Sequence, residues 1–216
     1  MIPTKASLTA IALLACAFAA PIEAQAWSYP SFQPPRLTVR EYNFAMADSD
    51  GPGTSLVFQW REQSGPRHQF SFDVGIADPD FDRDLYAFGG VGLGWMLGAE
   101  TEEVPLSFMF TAGAYLAVGD ETLLRFPVGV SMGHEFNLDG GLALTPYLHP
   151  RLTIDLCNGC GGSEVGVSFD LGANLQLTRS ISLRVSALFT GDESIDDEGF
   201  GISVGWTPPS LLRWRR

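Results

Sequence analysis

Ten segments of this 216-residue chain alternate apolar with small or polar side chains in strict period two, and none shows the 3.6-residue period of an amphipathic helix. Period two places successive side chains on opposite faces of a strand. The longest run is 164–178, where Val165, Val167, Phe169, Leu171, Ala173, Leu175 and Leu177 alternate with Gly166, Ser168, Asp170, Gly172, Asn174, Gln176 and Thr178. Comparable runs cover 105–119, 122–136, 142–155, 181–189 and 199–206, with shorter ones at 54–62, 69–77 and 85–98. A first strand near 37–46 changes phase at Arg40 and Glu41, which a bulge would explain. The expected fold is all-β with ten strands; eight is the alternative count.

The character of the second face decides what kind of β protein this is. A soluble sandwich or barrel turns a face rich in Lys, Glu, Thr and Arg to water. Here one face is Leu, Val, Phe and Ala almost without charge, and the other is Gly, Ser, Ala and Thr with isolated charges. The first suits lipid and the second a narrow lumen. Backbone groups in lipid must all be paired within the protein, so the sheet has to close. The expectation is a closed, antiparallel, up-and-down transmembrane β-barrel. The alternative is a soluble periplasmic, lipocalin-like barrel binding a hydrophobic ligand.

Residues 1–26 have the form of an export signal: Lys5, an apolar stretch from Leu8 to Ala20, and Ala24-Gln25-Ala26 before Trp27. Whether Cys16 is instead a lipidation site stays open. The segment after the signal, 27–35, is expected in the periplasm, the barrel over 36–206, and a basic tail over 207–216. Past the signal the chain holds 12 Arg, no Lys and 24 acids, a net charge of −12. That balance excludes a nucleic-acid binder, because phosphate affinity comes from clustered cations. With the N-terminus inside, the outer loops would be 47–53, 78–84, 119–121, 155–164 and 191–198. They carry 15 acids and one Arg, against five acids and six Arg in the inner turns plus tail.

Four groups of residues are candidates for chemistry. Cys157 and Cys160 have redox-motif spacing, but Gly161-Gly162 follows where a thiol-activating helix would stand, so a small loop disulfide is expected. Asp78-Pro79-Asp80-Phe81-Asp82-Arg83-Asp84 opens like a calcium loop and departs from it at Arg83 and Gly89, so it is read as a solvated acidic loop; cations bridging it to lipopolysaccharide are the sharper reading. Arg125, Tyr147, His149, Arg151, Asp170 and Arg184 should face the lumen as a paired network, or as a narrow passage whose arginine excess favours anions. Histidine occurs only at 68, 134 and 149, and no nucleophilic Ser is evident beside His149. The chain is therefore not expected to be an enzyme, and no cofactor or metal is expected.

The last strand, Gly199-Phe200-Gly201-Ile202-Ser203-Val204-Gly205-Trp206, resembles the closing signal of small outer-membrane β-barrel proteins of Gram-negative bacteria, the outer-membrane protein A/X-like barrels. The likeness rests on Gly201, Val204 and Trp206 and extends over about 36–206. It implies residence in the bacterial outer membrane as a monomer, contact with outer-membrane lipid and lipopolysaccharide, and insertion by the barrel assembly machinery. It also implies a structural, surface-interaction or narrow-channel, porin-like role. In that family the signal usually ends the chain, whereas ten residues follow it here.

Overall fold

The computed structural model describes residues 29–49, 53–78, 85–119, 122–158, 162–190 and 198–209. In chain order the strands are β1 (Arg40–Ser49), β2 (Gly53–Gln63), β3 (His68–Asp78), β4 (Tyr86–Gly98), β5 (Ser107–Val118), β6 (Thr122–Gly133), the two-residue β7 (Phe136–Asn137), β8 (Ala143–Asn158), β9 (Gly162–Gln176), β10 (Ile181–Thr190) and β11 (Gly199–Trp206). Each long strand pairs antiparallel with its chain neighbour, and β6 reaches past the short β7 to pair with β8. Eight registered pairs between β1 and β11, from Tyr42↔Trp206 to Ser49↔Gly199, close the ring. The result is a closed barrel of ten long strands, not eight. Among the described residues no helix is long and apolar enough to cross a membrane.

Two expected boundaries move. The phase change at Arg40 and Glu41 is not a bulge, because β1 begins at Arg40 and residues 36–39 precede it as non-strand. Leu37 and Val39 therefore never belonged to the alternation. The irregularity in the sheet falls instead between Met96 and Gly98, where β4 shifts against β5. The expected loop 155–164 is mostly strand, since β8 runs to Asn158 and β9 starts at Gly162. Asp155 is thereby carried off the rim and into the wall.

Alternation sorts the two faces cleanly. Phe44 is 59% exposed, Leu93 62% and Val167 57%, whereas Arg184 is 1% and Asp170 and Asn174 are 0%. The apolar side chains thus form a belt around the outside and the polar ones fill the inside. A carrier for a hydrophobic ligand needs the reverse arrangement. At the inner end, where the barrel begins and ends, aromatic rings gather on the outer surface. Tyr42 stacks on Trp206 at 5.6 Å, Trp60 meets Phe70 edge-on at 6.4 Å, and His68 meets Trp95 at 4.7 Å. Such rings suit the boundary between lipid tails and water.

Glycines on the inward faces make room for rings on neighbouring strands. A β-carbon at Gly172 would fall within the ring of Tyr147, which is 2% exposed. Phe88 lies in the same way over Gly75, and Tyr115 over Gly90 and Gly113. Gly172→Val should therefore lower stability by about 1–3 kcal/mol through overpacking. Urea titration of the refolded barrel in micelles measures it, and an unchanged midpoint would mean that Tyr147 has another place to go.

Candidate functional site in the filled lumen

The inside of the barrel holds more than strand side chains. Residues 29–38, expected in the periplasm as part of 27–35 and the start of the barrel, run up the lumen from the inner mouth. Tyr29 and Phe32 are buried, Phe32 completely. The reason is partly in the chain itself. Pro30, Pro34 and Pro35 have no N–H to satisfy, and proline holds the backbone extended, so this arm brings few unmet donors into a water-poor space. The Arg36 amide donates to Pro34 O at 2.8 Å, and the Thr38 amide to Gln69 Oε1 at 3.1 Å.

Three groups of lumen side chains hold the arm or brace the wall behind it. Nearest the inner mouth, Arg184 grips Glu41 with both nitrogens, at 2.8 and 2.5 Å, while its Nε donates to Asn174 Oδ1 at 2.8 Å. Arg61 Nη1 stands 3.5 Å from the same carboxylate, and its Nη2 donates to the Ser31 carbonyl at 3.0 Å. Midway, Asp170 accepts from Arg151 Nη2 at 2.9 Å and from the Ser31 hydroxyl at 2.7 Å. Across the wall from it, Asp73 accepts from the Tyr29 hydroxyl at 2.9 Å, Gln59 at 3.1 Å and Tyr115 at 3.4 Å. Towards the outer mouth Arg125 and Asp155 form a bidentate pair at 2.8 and 2.6 Å.

His149 sits between the Ser31 hydroxyl, 2.8 Å from Nδ1, and the Thr111 hydroxyl, 2.8 Å from Nε2. With the Ser31 hydroxyl donating to Asp170, Nδ1–H donates to Ser31 Oγ and Nε2 accepts from Thr111. Sequence reading found no hydroxyl for His149, and the fold supplies two. Thr111, His149 and Asp170 thus have the connectivity of an acyl-transfer relay. The carboxylate is 3.4 Å from Nδ1, however, and Ser31 makes the shorter contact to both. The adjoining cavity, beside the bare wall at Gly92, Gly94 and Gly113, measures about 70 Å³. That is room for a few waters, not for an ester and its chain.

All six residues expected in the lumen, Arg125, Tyr147, His149, Arg151, Asp170 and Arg184, point inward; Arg184 is linked through Glu41, Arg61 and Ser31 to Asp170, Arg151 and His149, and Arg125 pairs with Asp155. The expected excess of arginine shrinks: Glu41, Asp73, Asp155 and Asp170 face Arg61, Arg125, Arg151 and Arg184, and the arm adds Arg36, whose Nη1 donates to Gln176 Oε1 at 2.7 Å. Glu41, Arg61, Asp73, Thr111 and the whole arm escaped sequence reading. Arg61 and Asp73 carried a usable signal, since they occupy the lumen parity between Trp60 and Phe72. Of the other candidates, Cys157 lies near the outer end of β8, while Cys160 and residues 79–84 of the acidic loop fall outside the described residues. Residues 1–28 and 210–216 do as well. Gly201, Val204 and Trp206 lie in β11, and Gly201 faces the ring of Phe32.

No protein-family model matches the sequence, and no curated protein matches it. Solved structures match by fold. The β domain of the Bordetella autotransporter Brka superposes with a TM-score of 0.53 at 11% identity, over 78% of this chain and 98% of that one. A KdgM porin gives 0.40 at 10% identity over 78% and 99%. A bacterial polysaccharide outer membrane secretin gives 0.49 at 8% identity over 75% of this chain, which spans only 57% of the secretin's length. At these identities the likeness is one of fold: the chain has the architecture of outer-membrane β-barrels.

Proposed function

We propose that the protein is an integral outer-membrane β-barrel with a structural and surface-interaction role, holding its lumen closed and presenting acidic loops outward. The reading is carried by one observation, the inverted partition of polarity. A belt of Leu, Val, Phe and Ile at 40–60% exposure surrounds a core of paired Arg, Asp and Glu. Water gives no reason to expose that belt on every strand, and lipid does. All the long strands but the eight-residue β11 have ten to sixteen residues, long enough to cross a tilted apolar band. The filled lumen supports a closed scaffold over a standing anion passage. Cleavage of 1–26, insertion by the assembly machinery, a Cys157–Cys160 clip on an outer loop and contact with lipopolysaccharide belong to the same reading. Kinship with the A/X-like barrels rests on Gly201, Val204 and Trp206.

Fractionation tests it. Expressed in a Gram-negative host, the protein should stay with the membrane through urea washing, require detergent, and migrate differently on gels before and after boiling. Release by osmotic shock would overturn it. In planar bilayers the full chain should show no standing conductance, and steady open steps would overturn the closed state while leaving membrane residence intact.

A further inference from the structure

We infer that the lumen is a binding site for a short peptide without regular secondary structure, occupied in cis by residues 29–38. The wall reads the arm's main chain as well as its side chains. Arg61 Nη2 and Gln59 Nε2 both donate to the Ser31 carbonyl, at 3.0 and 3.4 Å, and Ser131 Oγ donates to the Gln33 carbonyl at 2.6 Å. Gln69 Oε1 accepts from both the amide and the hydroxyl of Thr38, at 3.1 and 3.2 Å. Main-chain contacts of this kind recognise a peptide segment largely irrespective of its sequence, while pockets for particular side chains select it.

Two such pockets are present. Tyr29 stacks on Phe88 at 5.4 Å with its hydroxyl on Asp73, and Phe32 lies against Gly201, where a β-carbon would come within 2.6 Å of the ring. Phe32 holds a left-handed backbone, φ 48°, which an aromatic residue adopts only when its surroundings impose it. The site, not the arm, therefore sets the conformation. The ligand class follows: a segment without acidic residues, stiffened by proline, with aromatic side chains three positions apart and an arginine four further on, here Arg36 donating to Gln176 Oε1 at 2.7 Å, entering from the inner mouth where the arm enters. The inference goes beyond membrane placement and stands or falls without it.

The test uses the full chain. In micelles, a Tyr29→Ala/Phe32→Ala variant that keeps heat-modifiable migration is titrated with a fluorescein-labelled peptide of residues 27–38 in native sequence. Binding should saturate, at least about tenfold tighter than to the unaltered protein, whose tethered arm competes at high effective concentration. The same peptide with both aromatics replaced by Ala should not bind. No saturable binding to the folded variant overturns the inference, as does equal binding of the Ala peptide. Should the variant not fold, hydrogen exchange on the unaltered protein decides. Excess native peptide should speed exchange of the arm amides by trapping the barrel with its arm out, and an unchanged rate overturns the inference.

Discussion

Arg184→Met is expected to lower the unfolding free energy by about 3–5 kcal/mol, because it strands a buried carboxylate. Arg184 supplies both short contacts to Glu41, and what remains is Arg61 at 3.5 Å. Glu41 is 2% exposed, so water cannot take over. The loss extends to Asn174, whose Oδ1 also accepts from Arg184. Glu41→Gln in the same molecule should recover much of the loss, since a neutral amide beside the introduced methionine leaves no uncompensated charge. Urea titration of the three proteins in micelles, followed by tryptophan fluorescence, measures both steps. A loss under about 1 kcal/mol for the single variant would mean that the pair is solvated.

Val185→Arg is expected to cost about 2–4 kcal/mol, and Ile181→Arg, four residues along the same strand towards the inner end, no more than about 1 kcal/mol. Both side chains are exposed on the outer face, 44% and 40%. In water both substitutions would be nearly neutral, as surface changes usually are. In lipid the cost depends on depth, because a guanidinium at the midplane cannot reach the headgroups while one near the aromatic ring at the inner end can. Equal and small effects at the two positions would reject the lipid belt. Equal and large effects would place Ile181 deep in it.

The barrel was legible because its code is redundant. Alternation over ten strands needs only side-chain parity, and a single misassigned residue does not hide it. Lumen chemistry is coded more thinly. Asp170 and Arg151 stood out as charges in otherwise small-residue faces, and their pairing at 2.9 Å follows from register. Asp73 faces Tyr29 across 44 residues, and no local pattern links them. The excess of arginine was overstated for the same reason, since Glu41 and Asp73 meet their partners across the barrel and not along a strand. The arm was least legible. Tyr-Pro-Ser-Phe-Gln-Pro-Pro has no periodicity, and its suitability for a water-poor lumen lies in the donors it lacks, which becomes visible only when a lumen surrounds it.

Parity has a blind spot that the fold repairs. A one-residue slip between β1 and β11 would turn every apolar side chain inward, and burial forbids it. A two-residue slip keeps every face correct and is invisible to alternation. Glu41 of β1 and Arg184 of β10 meet across β11, and Glu41 lies over Gly205, where a β-carbon would come within 3.2 Å of its carboxylate. Phe32, tied to β1 through the arm, rests against Gly201 of β11. Either slip of two tears the ion pair from its glycine gap, and one of them sets Ser203 under the ring. Residues that precede β1 thus check the alignment of the strand that closes on it, so the arm serves as a gauge for closing the seam correctly.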